Sequence, residues 1–177
     1  MTLTIHKGYL PGAIGRIVEL HAQYYSGLVG FGLPFESKVA RELVEFCERY
    51  DNERDGLWLA LQDGRIEGAI AIDGSHAEQD GAHLRWFIAS DKLRGTGAGT
   101  ALLTTAMAFC RSRHDERVYL WTFEGLGAAR HLYEKFGFRL AFQQRGTQWG
   151  AEVNEQRFEC QAAPHAGVDM VSMTSAM

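Results

Sequence analysis

Residues 84–113 read LRWFIASDKLRGTGAGTALLTTAMAFCRSR, and this stretch decides the fold. Its first six residues, 84–89, form an apolar run rich in aromatic side chains, with the length of a buried strand. After a short connector comes RGTGAG at residues 94–99, and from Ala98 onward apolar residues recur at helical spacing. The sequence therefore predicts a strand, a glycine-rich turn and a helix in direct succession.

The turn at residues 94–99 is suited to binding an anion. The first N–H groups of a helix lack partners, and the helix dipole places about half a positive charge there. Glycine at positions 95, 97 and 99 removes the Cβ atoms that would keep a ligand away from these amides. No Asp or Glu occurs between Arg94 and His114, although acidic residues usually occupy the first turn of a helix. We therefore expect a negatively charged ligand at this turn.

Three kinds of phosphate-binding turn compete for this segment. A P-loop requires Lys after its last glycine, and here Thr100 follows Gly99, so that alternative is excluded. A dinucleotide-binding turn requires a third glycine where Thr100 stands and normally opens a parallel βαβ unit, although Asp115 lies at a suitable distance. The third is the pyrophosphate loop of the GNAT superfamily, Arg/Gln-x-x-Gly-x-Gly/Ala, which Arg94, Gly97 and Gly99 match in order. A tight turn without a ligand remains the structural alternative.

Composition limits the class of protein. The chain has 177 residues, 46% of them hydrophobic and 23% charged, with a net charge of −4, and this favours a globular domain without a nucleic-acid or membrane partner. No apolar run approaches the ~20 residues of a membrane helix, and the N-terminus lacks a secretory signal pattern. Cys47, Cys110 and Cys160 are widely spaced and match neither a disulfide framework nor a zinc site. We therefore expect buried thiols, no metal and a cytoplasmic location.

The rest of the chain predicts one domain over residues 1–160 and a loosely held tail over residues 161–177. Asp63-Gly64 is typical of a two-residue hairpin turn. The strand at 117–123 should pair in parallel with the strand at 84–89, because a helix crosses between them. The other predicted elements are strands at 2–6, 57–62, 65–73, 138–144 and 153–160, helices at 13–28, 36–50, 97–113 and 126–136, and a glycine-containing loop at 27–34.

This order of elements, the glycine turn and HLYEKFGF at residues 131–138 resemble a GNAT acetyltransferase over roughly residues 3–160. The segments LRWFIASDKLRGTGAG, LWTFEGLGAARHLYEKFGFRL and QWGAEVNEQRF resemble more closely the acetyltransferase half of bacterial proteins that fuse a MarR-type regulator to a GNAT domain. We expect a freestanding relative without the DNA-binding half. The resemblance implies an α+β fold: a mixed, mostly antiparallel sheet of about seven strands, helices on both faces and a splayed parallel strand pair.

The resemblance also implies acetyl-CoA as cosubstrate and assigns residues to it. The amides that would wrap the CoA pyrophosphate belong to Arg94, Gly95, Thr96, Gly97, Ala98, Gly99 and Thr100. Phe87, Ile88 and Ala89 would bond the pantetheine arm through the main chain. Tyr133 would be the general acid that protonates the departing thiolate. The alternative for Tyr133 is a packed core residue, since it shares a helix face with Ala129 and Phe136.

Two positions depart from the family pattern. Many members have Asn where Leu126 begins the helix that carries the tyrosine, and many have a Glu near the start of the strand at 84–89, where this chain has no acid between Gly81 and Ser90. The base that deprotonates the amine must then lie elsewhere. The candidates are Glu36, Asp73, Glu124, His21 and His83. We favour Glu36, because the loop before it commonly borders the acceptor groove in this superfamily; the alternative is an acid that serves only the helix dipole.

The function expected from this resemblance is N-acetyl transfer by direct attack of a primary amine, from a small molecule or a peptide, on the thioester. The rival is a non-catalytic acyl-CoA sensor or interaction module with the same fold, and a homodimer through the closing strands or the tail is left open. Aromatic side chains are expected to line the acceptor pocket. They are Tyr24, Tyr25, Phe31, Phe35, Trp86, Trp121 and Trp149.

Overall fold

The computed structural model describes residues 2–162, which form one seven-stranded sheet and four α-helices. Residues 163–177, most of the predicted tail, lie outside the described residues. The elements in chain order are β1 (Leu3–Lys7), α1 (Ala13–Val29), α2 (Leu33–Glu48), β2 (Gly56–Gln62), β3 (Arg65–Asp73), β4 (Ala82–Ala89), a 3₁₀ turn (Asp91–Leu93), α3 (Ala98–Ser112), β5 (Arg117–Phe123), α4 (Gly127–Lys135), β6 (Arg139–Gly146) and β7 (Val153–Gln161).

The sheet has the strand order β1-β2-β3-β4-β5-β7-β6. Within residues 2–162, β4 and β5 are the one parallel pair, and the other neighbouring strands are antiparallel. Asp63 and Gly64 turn the β2–β3 hairpin with φ of 50° and 80°, the two positive values that an Asp-Gly pair tolerates. The predicted α+β class, with a mixed sheet and one parallel pair, is confirmed.

Two hydrophobic cores lie on opposite faces of the sheet. On one face, Leu102 and Met107 of α3 pack with Phe158 of β7. On the other face, α1 and α2 bury Ile17 and Phe46 against the central strands. β3 is buried along nearly its whole length, as expected for a strand covered on both faces. Helices therefore cover both faces, in agreement with the resemblance.

The connection between α1 and α2 is shorter than predicted. A loop was expected over 27–34, yet α1 continues to Val29 and α2 begins at Leu33. Gly30, with φ of 70°, ends α1 in the left-handed conformation typical of a helix C-terminus. Pro34 lies in the first turn of α2, where its missing N–H costs no hydrogen bond. Glycine and proline here mark helix ends rather than a long loop.

β4 and β5 diverge soon after they meet. Their pairing comprises only Ala82 with Val118 and His83 with Tyr119. A β-bulge follows in β4, where the register against β3 shifts and Trp86 has φ of 46°. A bulge bends its strand and strengthens the local twist, which separates the rest of β4 from β5. The gap between these strands opens toward the glycine turn.

Candidate functional site

The glycine turn lies between the 3₁₀ turn and α3. Gly95 and Gly97 have φ of 74° and 79°, in the left-handed region that favours glycine. A Cβ at either position would meet no atom within 4 Å. Backbone rotation, and not close packing, therefore requires glycine at both positions, and the space beside them is open.

The mouth of α3 is open to a ligand. Its first turn contains no acid and no side chain that caps the helix. Thr96 Oγ1 accepts a hydrogen bond from the Ala98 amide at 3.3 Å, whereas the amides of Gly99 and Thr100 have no acceptor among residues 2–162. Partnerless amides at the positive end of a helix dipole are suited to bind an anion.

Arg94 lies at the surface of this turn. Its side chain is 81% exposed and pairs with Asp91 at 2.6 Å, and the Asp91 side chain is 85% exposed. An ion pair this exposed contributes little to stability, so Arg94 is free to turn toward a bound anion at small cost.

A cavity of about 450 Å³ occupies the gap between β4 and β5. Side chains from α1, α2, β4, β5, α4 and the β6–β7 loop form its walls. Five of the seven aromatic residues expected at the acceptor pocket line it: Tyr25, Phe35, Trp86, Trp121 and Trp149. Tyr24 is 46% exposed and Phe31 is buried in the core under α1 and α2, and neither lines the cavity.

The end of β4 forms one edge of the gap. Phe87, Ile88 and Ala89 lie beyond the last residue pair with β5, so the main-chain groups of β4 that face β5 have no partner strand there. The Phe87 ring is half-buried and lines the cavity. A strand edge with open N–H and C=O groups can pair with an extended ligand.

Tyr133 reaches the cavity from α4. It is 7% exposed, and its ring lies 6.0 Å from those of Phe87 and Phe138. Its hydroxyl has no hydrogen-bond partner among the described residues. Burial raises the pKa of Tyr133, and the neighbouring Tyr25 and Tyr24 phenols raise it further. The residue is at once part of the core under α3 and α4 and part of the cavity wall.

Glu36, the predicted base, lies exposed in the first turn of α2. It is not among the residues that line the cavity. An acid at this position interacts favourably with the helix dipole. Its role as the base stays a prediction.

Two other acids of α2 line the cavity and were missed in the sequence. They are Glu42 and Glu45, which share a helix face with Lys38. Glu42 pairs with Lys38 and with Arg85 of β4. The helical spacing of these three α2 residues was a usable signal, but the sequence alone does not show that this face meets a gap in the sheet.

Asp73, another candidate base, is held in ion pairs. Arg49 donates to it at 2.5 Å, and an Arg85 nitrogen lies 3.5 Å away. Burial acts to raise the pKa of Asp73, but hydrogen bonds from Arg49 and Ser75 outweigh it and hold the pKa well below its usual range. A carboxylate held so firmly in its ionised form is a poor proton acceptor.

Glu124, another candidate base, is exposed and lies outside the wall of this cavity. Asn154 Nδ2 donates a hydrogen bond to it at 3.2 Å.

Two histidines line the cavity. Burial lowers the pKa of His21 to about 4. Burial, with the charges of Arg85 and Arg157, lowers the pKa of His83 to about 3. The His83 ring stacks on Tyr119 at 4.4 Å, where β4 and β5 part. Both imidazoles are therefore neutral near pH 7.

Cys47, Cys110 and Cys160 are free thiols, and the last two are buried. Residues 2–162 contain no group of three His, Cys, Asp or Glu side chains placed to hold a metal ion. In the same range, no helix has the length and apolar character needed to cross a membrane.

Residues 16–138 match the model of the "Acetyltransferase (GNAT) family". Human N-acetylaspartate synthetase is 28% identical over 137 residues, which are 72% of this chain and 45% of that protein. The chain thus spans less than half the length of the curated relatives that it matches.

Solved structures share the fold at low sequence identity. YncA of Salmonella typhimurium, solved with its cofactor acetyl-CoA, has a TM-score of 0.72 and 16% identity, covering 96% of this chain and 99% of that one. The ribosomal-protein-S18-alanine N-acetyltransferase of Escherichia coli has a TM-score of 0.65 and 17% identity, covering 99% and 100%.

Proposed function

The chain belongs to the acetyltransferase (GNAT) family, and from that premise we propose that it transfers an acetyl group from the thioester of acetyl-CoA to a primary amine. The observation that carries this proposal is the adjacency of three features: the open mouth of α3, where Gly99 lies beside Phe87, the unpaired end of β4 and a cavity that Phe87 and Tyr133 line. A long ligand with an anionic end and an amide-rich arm fits that arrangement.

The residues proposed to hold acetyl-CoA lie along one path. The amides of residues 94–100 would receive the pyrophosphate, and Arg94 would neutralise part of its charge. The main chain of residues 87–89 would pair with the pantetheine amides. Gly99 lies where the path passes from α3 to β4, since a Cβ there would make ordinary contacts with Leu132 at 3.6 Å and Phe87 at 3.7 Å. Main-chain N–H groups near the bulge at Trp86 would polarise the reacting carbonyl.

Acetyl-CoA, when bound, supplies an activated acetyl group. The chain would hold the amine beside it, and this proximity accounts for much of the expected rate. Tyr133 would donate its phenolic proton to the departing sulfur. Its raised pKa, caused first by burial, keeps the hydroxyl protonated near neutral pH. Glu36, if it is the base, must act through water, because it is exposed and stands outside the cavity wall.

We further propose what kind of amine accepts the acetyl group. One relative is named for N-acetylaspartate and one structural neighbour for the alanine of a ribosomal protein, so small and peptide acceptors are both represented among similar proteins. The cavity is walled by aromatic side chains and closed on the side of α3 by the core, which favours a small amine. We also propose that the chain is related to the acetyltransferase half of MarR–GNAT fusion proteins.

A non-catalytic acyl-CoA sensor is the second candidate. It is favoured by the buried Leu126 at the helix start and by the absence of an acid on β4. Two measurements distinguish the transferase from the sensor: calorimetric titration of the protein with acetyl-CoA, and thiol release with a library of amines. Binding together with amine-dependent release supports the transferase. Binding without release for any amine supports the sensor, and no binding contradicts both. Glu36→Gln should lower kcat if Glu36 is the base.

A further inference from the structure

His21 projects from α1 into the cavity wall with one ring nitrogen committed. Nδ1 lies 2.8 Å from the carbonyl oxygen of Ile17, one turn earlier. A carbonyl can only accept a hydrogen bond, so Nδ1 must carry a proton and donate it. In the neutral ring Nε2 is then a bare acceptor.

The position of Nε2 follows from this contact. Because Nδ1 faces its own helix, Nε2 lies on the far side of the ring, away from α1 and toward the cavity that His21 lines. No hydrogen-bond partner for Nε2 occurs in the described part of the chain. The residue is 6% exposed as a whole, and Nε2 is not among the fully buried side-chain atoms that lack a partner, so this acceptor meets the open space of the cavity.

The neighbours of His21 connect it to the proposed reacting centre. Tyr25, one turn further along α1, has its ring 6.2 Å from the His21 ring. The Tyr25 phenol in turn acts on Tyr133, because it contributes to the raised pKa of that residue after burial. His21 and Tyr25 of α1 and Tyr133 of α4 all line the same cavity.

Two other titratable groups of the cavity wall, Glu42 and His83, are less suited to take up a proton. Glu42 is paired with Lys38 and with Arg85. His83 faces Arg85 and Arg157, whose charges oppose a further cation. No charged neighbour contributes to the lowered pKa of His21. Burial lowers that pKa, and the hydrogen bond to the Ile17 carbonyl raises it.

We propose that His21 Nε2, in place of Glu36, binds the acceptor amine and receives the proton that this amine loses during transfer. The inference rests on the proposed function. The neutral amine forms the C–N bond, the C–S bond breaks, the amine proton passes to His21 Nε2, and the Tyr133 proton passes to sulfur. Exchange of one proton with solvent restores both side chains. The nitrogen of the tetrahedral adduct is far more acidic than a free ammonium ion, so a weakly basic imidazole can accept its proton.

The test uses two substitutions in the full chain that preserve different halves of the imidazole. His21→Asn keeps an N–H near Nδ1 and removes the acceptor at Nε2. His21→Gln places an amide oxygen near Nε2, which accepts a hydrogen bond but takes no proton. The probe amines are L-aspartate, 2-phenylethylamine and a peptide that begins with alanine. We expect kcat to fall about 100-fold in both variants. The KM for the amine should rise only in His21→Asn, and the Kd for acetyl-CoA should be unchanged.

A second measurement does not depend on turnover. Nitrogen NMR of the wild-type chain at pH 7 should show His21 as the Nδ1–H tautomer, and the Nε2–H tautomer would overturn the inference. Wild-type kcat in both variants would also overturn it and leave the proposed function intact. Absence of thiol release by the wild type with all three amines would contradict the proposed function itself, and the inference with it.

Discussion

Tyr133 packs as a core residue and faces the cavity at the same time. Its ring contacts other aromatic rings on the α3 side of the sheet, whereas its hydroxyl has no partner among residues 2–162. The two alternatives considered from the sequence, core residue and general acid, therefore do not exclude each other. The ring and the hydroxyl can be tested separately.

Tyr133→Phe keeps the ring and removes only the hydroxyl. Because this hydroxyl makes no hydrogen bond in the described chain, the free energy of unfolding should change by less than about 1 kcal/mol. If Tyr133 is the general acid, kcat should fall about 100-fold or more, with the Kd for acetyl-CoA unchanged. Thiol release and calorimetry measure the two quantities. An unchanged kcat would remove Tyr133 from the mechanism.

Stability should depend on pH through His21 and His83. Their pKa values in the folded chain are about 4 and about 3, below the unfolded value near 6.5. Well above pH 6.5 both histidines are neutral in the folded and in the unfolded chain, so they do not make the free energy of unfolding depend on pH. As the pH falls below 6.5 the unfolded chain binds protons that the folded chain does not, so the free energy of unfolding falls until the folded pKa is reached. The loss should amount to a few kcal/mol.

Urea unfolding between pH 7 and pH 4.5 measures this dependence. Asp73, whose pKa is lowered, stays ionised in both states over most of that window and adds little. His83→Phe keeps a ring to stack on Tyr119 and removes one titrating group, so its stability should fall less steeply with pH. An equal slope in this variant would show that His83 is not the source.

At the scale of elements, the glycine turn and α3 act as one unit. The left-handed backbone of Gly97 ends the turn, and the open amides follow immediately. Gly64 in the β2–β3 hairpin has a nearly identical φ, 80° against 79°, and equally open surroundings. It therefore reproduces the backbone strain of a substitution without the ligand site.

Gly97→Val should weaken acetyl-CoA binding at least tenfold, because the side chain strains the turn and covers the amides that would hold the pyrophosphate. Both Gly97→Val and Gly64→Val should lose about 1–2 kcal/mol of stability. Gly64→Val should bind acetyl-CoA like the wild type. Calorimetric titration measures the affinity of both variants for acetyl-CoA. Equal affinities would contradict the assignment of the turn at residues 94–100 to the pyrophosphate.

The sequence predicts helices and strands correctly where the local residue pattern matches the burial of the element in the fold. β3 and β5 lie at the predicted residues because their apolar patterns are bounded by turns. The loop expected at 27–34 was wrong because Gly30 and Pro34 serve helix ends, and only neighbouring structure distinguishes the two uses.

The sequence predicts only part of the candidate site. The glycine turn and Tyr133 carry local motifs, and both border the proposed ligand path. Glu42 and Glu45 carry no motif, since their place in the cavity depends on the divergence of β4 from β5. The bulge at Trp86 causes that divergence, and an aromatic residue at positive φ is not what a sequence pattern predicts. The tautomer of His21 likewise depends on a contact with the backbone of α1.

At the scale of the whole molecule, ion pairs connect α2 and the turn after it to the sheet. Arg85 of β4 contacts Glu42 of α2, and Arg49, just beyond α2, contacts Asp73 of β3. Asp73 is buried, and a buried carboxylate that loses its partner is costly. The Glu42–Arg85 pair also lines the cavity, so stability and the shape of the site are coupled there.

Arg49→Met should reduce the free energy of unfolding by about 2–4 kcal/mol, because Asp73 loses its 2.5 Å partner while it stays buried. The control is Arg130→Met on α4, which breaks an exposed pair with Glu134 and should cost less than about 1 kcal/mol. Thermal or urea unfolding of both variants measures the difference. Equal losses would contradict the stabilising role given to the Arg49–Asp73 pair.

We expect the two residue pairs between β4 and β5 to act as a hinge. They join a four-stranded part of the sheet to a three-stranded part, and the core under α3 spans both. Rotation about Ala82 and His83 is blocked on that filled side, so we expect the parts to separate only toward α1 and α2. The displacement grows with distance from the hinge and is largest at residues 87–89. A small rotation at His83 would therefore set how wide an acceptor can enter.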